Sequence, residues 1–175
     1  MIARPQPTEH VPYFSRYIEL VPDGDLLELL DAQHRTTLES LAPLSPEKAK
    51  YRYADGKWSV TEVVGHLADT ERIFTYRALR FARGDDTPLA GYDENAYTPA
   101  GRFDDRSLGD VLAEYTAVRR ATVALLRGLP ADAFERSGPA NGHPISVRAL
   151  AYIIAGHERH HMRVLEARYG IPSSA

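Results

Sequence analysis

Four stretches of this chain carry apolar residues every three or four positions, and each is long enough to cross a small domain as an amphipathic helix. The first runs from about Asp25 to Leu41, with Leu26, Leu30, His34, Thr37 and Leu41 along its stripe. The second opens at Ser59-Val60-Thr61-Glu62, where the hydroxyl and the carboxylate can satisfy opposing orphan amides as a capping box. It buries Val60, Val63, Val64, Leu67, Phe74, Ala78 and Phe81 ahead of Gly84. The third opens at Ser107 and presents Leu108, Val111, Tyr115, Val118, Thr122 and Leu126 before Gly128 and Pro130 stop it. The fourth opens at Ser146 and runs through Leu150, Ile154, His157, His161 and Leu165 to Gly170. Four such stripes bury their faces against one another, so the expected fold class is all-α, a four-helix bundle. A chain of 175 residues is the size of one domain, taken as 1–175 with an N-terminal tail over 1–22.

The connections are uneven. Between the first two helices, Tyr51 to Trp58 alternates and contains Asp55-Gly56, the signature of a small hairpin. The segment from about Asp85 to Arg106 reads as a long crossover loop, and its Tyr92, Asp93, Glu94, Asn95 and Tyr97 are candidates to line the open end of the bundle. Arg136 to Pro144 reads as irregular.

Composition removes several classes of function. The chain has no cysteine, which excludes disulfides, zinc-thiolate sites and a cysteine nucleophile. A net charge of -3 leaves no basic footprint, so nucleic acid is not an expected partner. Neither a signal-peptide pattern nor an apolar run of membrane length is present, so a cytoplasmic protein without membrane contact is expected. A homodimer is allowed by the chain and not specified by it. The conspicuous residues are the seven histidines, three of which crowd into Gly156-His157-Glu158-Arg159-His160-His161.

At about 100° per residue, His157 and His161 lie about 40° apart on one side of the fourth helix, one turn from each other. They sit on the stripe continued by Leu150, Ile154 and Leu165, whereas His160 falls about 100° from its centre. Imidazoles on a buried stripe need partners, and a divalent cation would satisfy both; bonds to carbonyls or carboxylates are the alternative reading. A catalytic site needs a third ligand and an open position. His66, beside Thr70 on the second helix, is the first candidate and His34 on the first helix its rival. His10 and His143 read as solvated. Glu71 lies five residues from His66, about 140° around the helix, and reads as a buried carboxylate paired with a base such as Arg119 or as support behind the site. Glu158, about 60° off the stripe, either orients a ligand and moves a proton or is a solvated surface residue.

His157-Glu158-x-x-His161 also matches the zinc-protease pattern His-Glu-x-x-His, but Val164 and Ala167 occupy the positions where the extended form needs glycine and histidine. The chain is better matched elsewhere. Trp58-Ser59-Val60-Thr61-Glu62-Val63-Val64-Gly65-His66-Leu67 with Glu71, together with Ala155-Gly156-His157-Glu158-Arg159-His160-His161, resembles the paired signatures of the DinB-like superfamily, or YfiT-type metal-dependent hydrolases, over about Asp25 to Tyr169. The resemblance implies a four-helix bundle with a long crossover and one divalent transition metal, zinc or nickel, held by His66, His157 and His161. It further implies hydrolysis, or transfer to or through a low-molecular-weight thiol, on a small-molecule substrate. On the reading of the residues themselves, Glu158 is the candidate catalytic residue, with His160, Glu71, His34 and Tyr92 as candidates around the site. A non-catalytic, stress-response bundle whose structural ion is closed by a fourth ligand such as His34 is the competing expectation.

Overall fold

The computed structural model describes residues 1–172, and all four stripes form long helices. In chain order the helices are α1 (Ser15–Ile18), α2 (Leu26–Leu41), α3 (Pro46–Ala49), α4 (Val60–Ala82), α5 (Glu94–Gly101), α6 (Leu108–Arg127) and α7 (Val147–Tyr169). Their starts are set locally. Asp25 caps α2 by accepting from the amides of Leu27 and Glu28, and Ser107 and Ser146 cap α6 and α7. Ser59 and Glu62 form the full reciprocal box at α4, with bonds of 3.0 and 2.8 Å.

Helix α4 packs on α7 and α6, and α2 closes the bundle against the same two helices. Successive long helices, α2 then α4 and α6 then α7, therefore stand across the diagonals. Two apolar clusters fix the directions. One gathers Leu30, Phe74, Leu126 and Leu150, and the other Leu41, Leu67, Val111 and Leu165. Helices α4 and α6 therefore run parallel, as do α2 and α7. Because α4 and α6 are parallel neighbours, the chain must return about 30 Å between them, the length of a 20-residue helix. This return is the physical reason for the long crossover.

The crossover is more ordered than a loop. It contains α5, capped by Asp93 accepting from the Asn95 amide, and a turn of 3₁₀ helix at Phe103–Asp105. The Phe103 ring rests on α4 where Gly65 leaves room; a Cβ there would lie 2.4 Å from the ring. The expected hairpin at Tyr51–Trp58 does not form. The hairpin is instead β1 (Ser137–Ala140) with β2 (His143–Ser146), in antiparallel register Ser137 to Ser146. Its turn is Asn141-Gly142, with φ of 51° and 77°, and both residues tolerate this left-handed backbone. The crossover is tied to the hairpin by Leu89 N–H to Pro139 O at 2.9 Å and Asn141 N–H to Leu89 O at 2.9 Å.

The N-terminal segment also packs. Arg4 donates to the Ile18 and Val21 carbonyls, and Glu9 pairs with Arg148 on α7. His10, expected to be solvated, is buried with its Nδ1 2.9 Å from the Val11 carbonyl. Tyr17 presses its carbonyl onto Gly156, where a Cβ would approach to 1.9 Å. Helix α7 is thus covered on two sides, which is why Val147 to Ala155 is buried almost all round except at Arg148.

Between the two apolar clusters every long helix contributes polar residues. Arg119 on α6 is fully buried and uses all five donors. Its Nε and Nη2 hold Glu71 of α4 at 2.9 and 2.8 Å, and Nη1 holds Glu158 of α7 at 2.9 Å. The Leu30 carbonyl of α2 and the Tyr115 hydroxyl take the remaining bonds. Two predictions follow from this packing. Arg119→Leu, which strands two buried carboxylates, should cost at least about 3 to 5 kcal/mol in urea unfolding, whereas Glu71→Gln should cost less; the reverse ranking would contradict the arrangement. Gly156→Ala should lower stability by about 1 to 3 kcal/mol by driving Tyr17 off α7, and an unchanged melting temperature would show that the contact is loose.

Candidate metal centre

His66 on α4 and His157 and His161 on α7 face one another across the groove between these antiparallel helices. Their Nε2 atoms converge: His157 Nε2 lies 3.1 Å from that of His66 and 3.1 Å from that of His161. They form the one group of three metal-capable ligands among the described residues, with all ligand atoms within 4.8 Å. Bonds of 2.0 to 2.1 Å at a common ion require nitrogen separations of about 2.9 Å at right angles and about 3.4 Å in a tetrahedron. The observed 3.1 Å lies between, so the donor set fits a first-row divalent ion.

Electrostatics favour the ligating form of each ring. Burial lowers His66 to about 4. Burial, then the neighbouring imidazoles, holds His157 and His161 well below their usual range. Neutral imidazole is the state that binds metal. Around the rings, Trp58 lies over His66 with centroids 4.7 Å apart, and Tyr17 meets His157 edge-on at 5.4 Å. Behind His66, Thr70 Oγ1 is 3.4 Å from Nδ1 and 2.7 Å from the Tyr92 hydroxyl, so the crossover reaches the cluster through one residue. Burial pushes the Tyr92 phenol up to about 12, which keeps it a neutral hydrogen-bonding group.

The other candidates are distributed around this centre. His160 stands outside the ligand set and lines the cavity beside it, edge-on to His161 at 5.1 Å. His34 is turned to Thr116 Oγ1 at 3.2 Å and to the Tyr115 ring, and is not in the cluster. It supplies no fourth ligand. Glu71 is on Arg119, as the sequence suggested. Glu158 corrects the reading of a solvated glutamate: it is 1% exposed. Its carboxylate accepts from Thr37 Oγ1 at 2.7 Å, from Arg119 and from Gln33. Burial alone would raise its pKa, but the Arg119 charge and these bonds outweigh that and leave it lowered. Adjacent positions on a helix differ by about 100°, so α7 turns His157 to the groove and Glu158 to the bundle centre. Glu71, Glu158 and His157 line one narrow internal void, so the network of Glu71, Arg119 and Glu158 lies against the inner side of His157.

On its outer side the cluster opens into a cavity of about 810 Å³. Its walls come from outside the four long helices as much as from within them: Phe14 and Arg16 of the N-terminal segment, Tyr92 and Glu94 of the crossover, and exposed His143 and buried Ile145 of the hairpin. Of the crossover candidates Tyr92 and Glu94 line it, Asp93 is spent as the α5 cap, and Asn95 and Tyr97 are not on its wall. The wall residues of the N-terminal segment carry no periodic signal, and sequence reasoning missed them. No described helix is long and apolar enough to cross a membrane.

Solved structures and a family model both relate the chain to known proteins. YfiT from Bacillus subtilis, described as a probable metal-dependent hydrolase with an unusual four-helix bundle topology, superposes with a TM-score of 0.71 at 22% identity, over 97% of this chain and 95% of that one. A mycothiol-dependent maleylpyruvate isomerase superposes with a TM-score of 0.70 at 12% identity, over 89% of this chain and 64% of its own length. No curated protein matches the chain significantly in sequence. The model of the DinB superfamily matches residues 29–165, which covers most of the chain and all three clustered histidines, and the chain belongs to that superfamily.

Proposed function

We propose that this protein is a metal-dependent enzyme that holds one divalent transition metal, zinc or nickel, on His66, His157 and His161 and acts on a small molecule in the adjoining cavity. The observation that carries the reading is the convergence of three neutral imidazole nitrogens, 3.1 Å apart in two pairs, at an open cavity rather than in a closed core. When bound, an ion with three histidine ligands supplies a Lewis-acidic position at which water or a thiol is activated near neutral pH. The descriptions of YfiT as a probable metal-dependent hydrolase and of the isomerase as mycothiol-dependent support hydrolysis or thiol-dependent transfer as the reaction class. Lacking cysteine, this chain would take any thiol from solution, as a co-substrate.

The residues around the ligands have separable tasks. Thr70 orients the His66 ring through Nδ1, and Tyr92 fixes Thr70. Trp58 and Tyr17 shield the rings from bulk water. Glu158 is assigned a positioning role: with both oxygens engaged by Thr37, Arg119 and Gln33, it locks the rotation of α7 that aims His157 outward. This occupation also argues against the His-Glu-x-x-His protease mechanism, in which that glutamate must reach the reacting water. The closed, structural-ion reading is not favoured, because His34 is bonded to Thr116 instead.

Metal analysis of single variants tests the ligand set. His66→Ala, His157→Ala and His161→Ala should each fall from close to one ion per chain to below about a tenth after zinc reconstitution and desalting, because two remaining imidazoles hold a first-row ion weakly. His160→Ala and His34→Ala should stay near the parent value. Loss in His160→Ala with retention in His161→Ala would overturn the assignment.

A further inference from the structure

Four ionised side chains are buried among the described residues: Glu71, Arg77, Arg119 and Glu158. Three of them, Glu71, Arg119 and Glu158, are paired with one another. Arg77, on α4 and 6% exposed, makes no ion pair among the described residues. Its Nη2 donates to the Ala90 carbonyl at 2.8 Å and its guanidinium lies 5.6 Å from the Phe74 ring centre. That leaves most of its five donors without a protein acceptor, on a residue that lines the cavity. Burial accordingly lowers its pKa, with no carboxylate to oppose the effect. Its free donors face the cavity, where an anion would complete the fork.

Arg77 is eleven residues beyond His66, which places it within roughly 20° of the same side of α4 and about 16 Å further along the axis. Helical side chains lean toward the N-terminus, so the guanidinium reaches back toward the histidines, to about 10 Å. The cavity between them has aromatic walls in Phe14, Phe74 and Tyr92. Glu94, part-exposed on the crossover, is the one carboxylate on those walls, and Arg16, held between the Tyr13 and Tyr17 hydroxyls, is the other guanidinium.

We infer that Arg77 is the anion-recognition residue of this cavity and that its ligand is an organic acid, with the carboxylate on Arg77 and an apolar body toward the histidines. This names the substrate class of the site and rests on the reading above in taking the cavity as the substrate site. The carboxylate would complete the guanidinium fork, while the reacting end lies about 10 Å away at the ligand cluster.

The test uses a pair of probes of nearly the same size and shape, the anion 4-phenylbutyrate and the neutral 4-phenylbutanamide. They are titrated calorimetrically into the full chain, both as purified and after chelator treatment. The parent protein should bind the acid about tenfold or more tighter than the amide in both forms, the increment of a charge-assisted bond. Arg77→Gln, which keeps a donor for the Ala90 carbonyl, should lose that preference with the amide affinity unchanged, and Arg77→Lys should restore part of it. Arg16→Gln should keep the preference. A merely structural role, anchoring the crossover, would shift the melting temperature without changing the acid-to-amide ratio. Equal affinity for the two probes, no binding of the acid, or a preference that survives Arg77→Gln would overturn the inference. Because the ratio is read with and without metal, a protein that binds no ion leaves this result standing, and its failure leaves the metal analysis standing.

Discussion

The structure depends on one buried guanidinium. Arg119 touches all four long helices: its own α6, α4 through Glu71, α7 through Glu158 and α2 through the Leu30 carbonyl. Removing any partner leaves charge in a dry interior, so these bonds fix the axial register and the rotation of each helix more sharply than apolar packing does. The consequence for the site is direct. With Glu158 clamped to the bundle centre, the neighbouring His157 and, one turn on, His161 point into the groove where His66 waits on α4. The network of Glu71, Arg119 and Glu158 sets two carboxylates against one guanidinium behind His157, a balance that would complement a divalent ion on the outer side of the cluster.

The division of labour between frame and walls follows from the topology. The bundle supplies the three clustered histidines from two antiparallel helices, α4 and α7, which pack on each other more extensively than any other pair. The cavity is completed by the segments that join or precede the helices, namely the N-terminal segment, the crossover and the hairpin, which are tied down by Glu9 to Arg148, by Leu89 to the hairpin and by Tyr17 against Gly156. Loops held on a rigid frame are where specificity is varied. The superposition on YfiT and on a maleylpyruvate isomerase is accordingly a likeness of frame, at identities of 22% and 12%.

Much of this was legible in the chain itself. Caps at Asp25, Ser59, Ser107 and Ser146 and the apolar stripes locate the long helices, because these signals are local. The i, i+4 histidine pair follows from helical geometry; His66 was the first candidate for the third ligand from its place on the second helix, with His34 its rival, and the resemblance pointed to His66. Glu158 was misread because its offset of about 60° from the centre of the stripe suggested a flank, although it stands one turn from Ile154 and within about 20° of Leu165, at the edge of the buried line. The hairpin was placed at Asp55-Gly56 when Asn141-Gly142 carries the stronger turn signal, with both residues suited to positive φ. The walls formed by Phe14, Arg16 and Tyr17 depend on contacts between residues far apart in sequence, which no local pattern encodes. Arg77 is an intermediate case, since its angle matches that of His66 while its lack of a counter-ion appears in three dimensions alone.

X-ray absorption at the zinc edge of the zinc-reconstituted protein tests the central claim, an open three-histidine centre, most directly. The account predicts three imidazole nitrogens at about 2.0 to 2.1 Å with a further light ligand not supplied by the protein. A shell of four imidazoles, or one dominated by carboxylate oxygen, would contradict it.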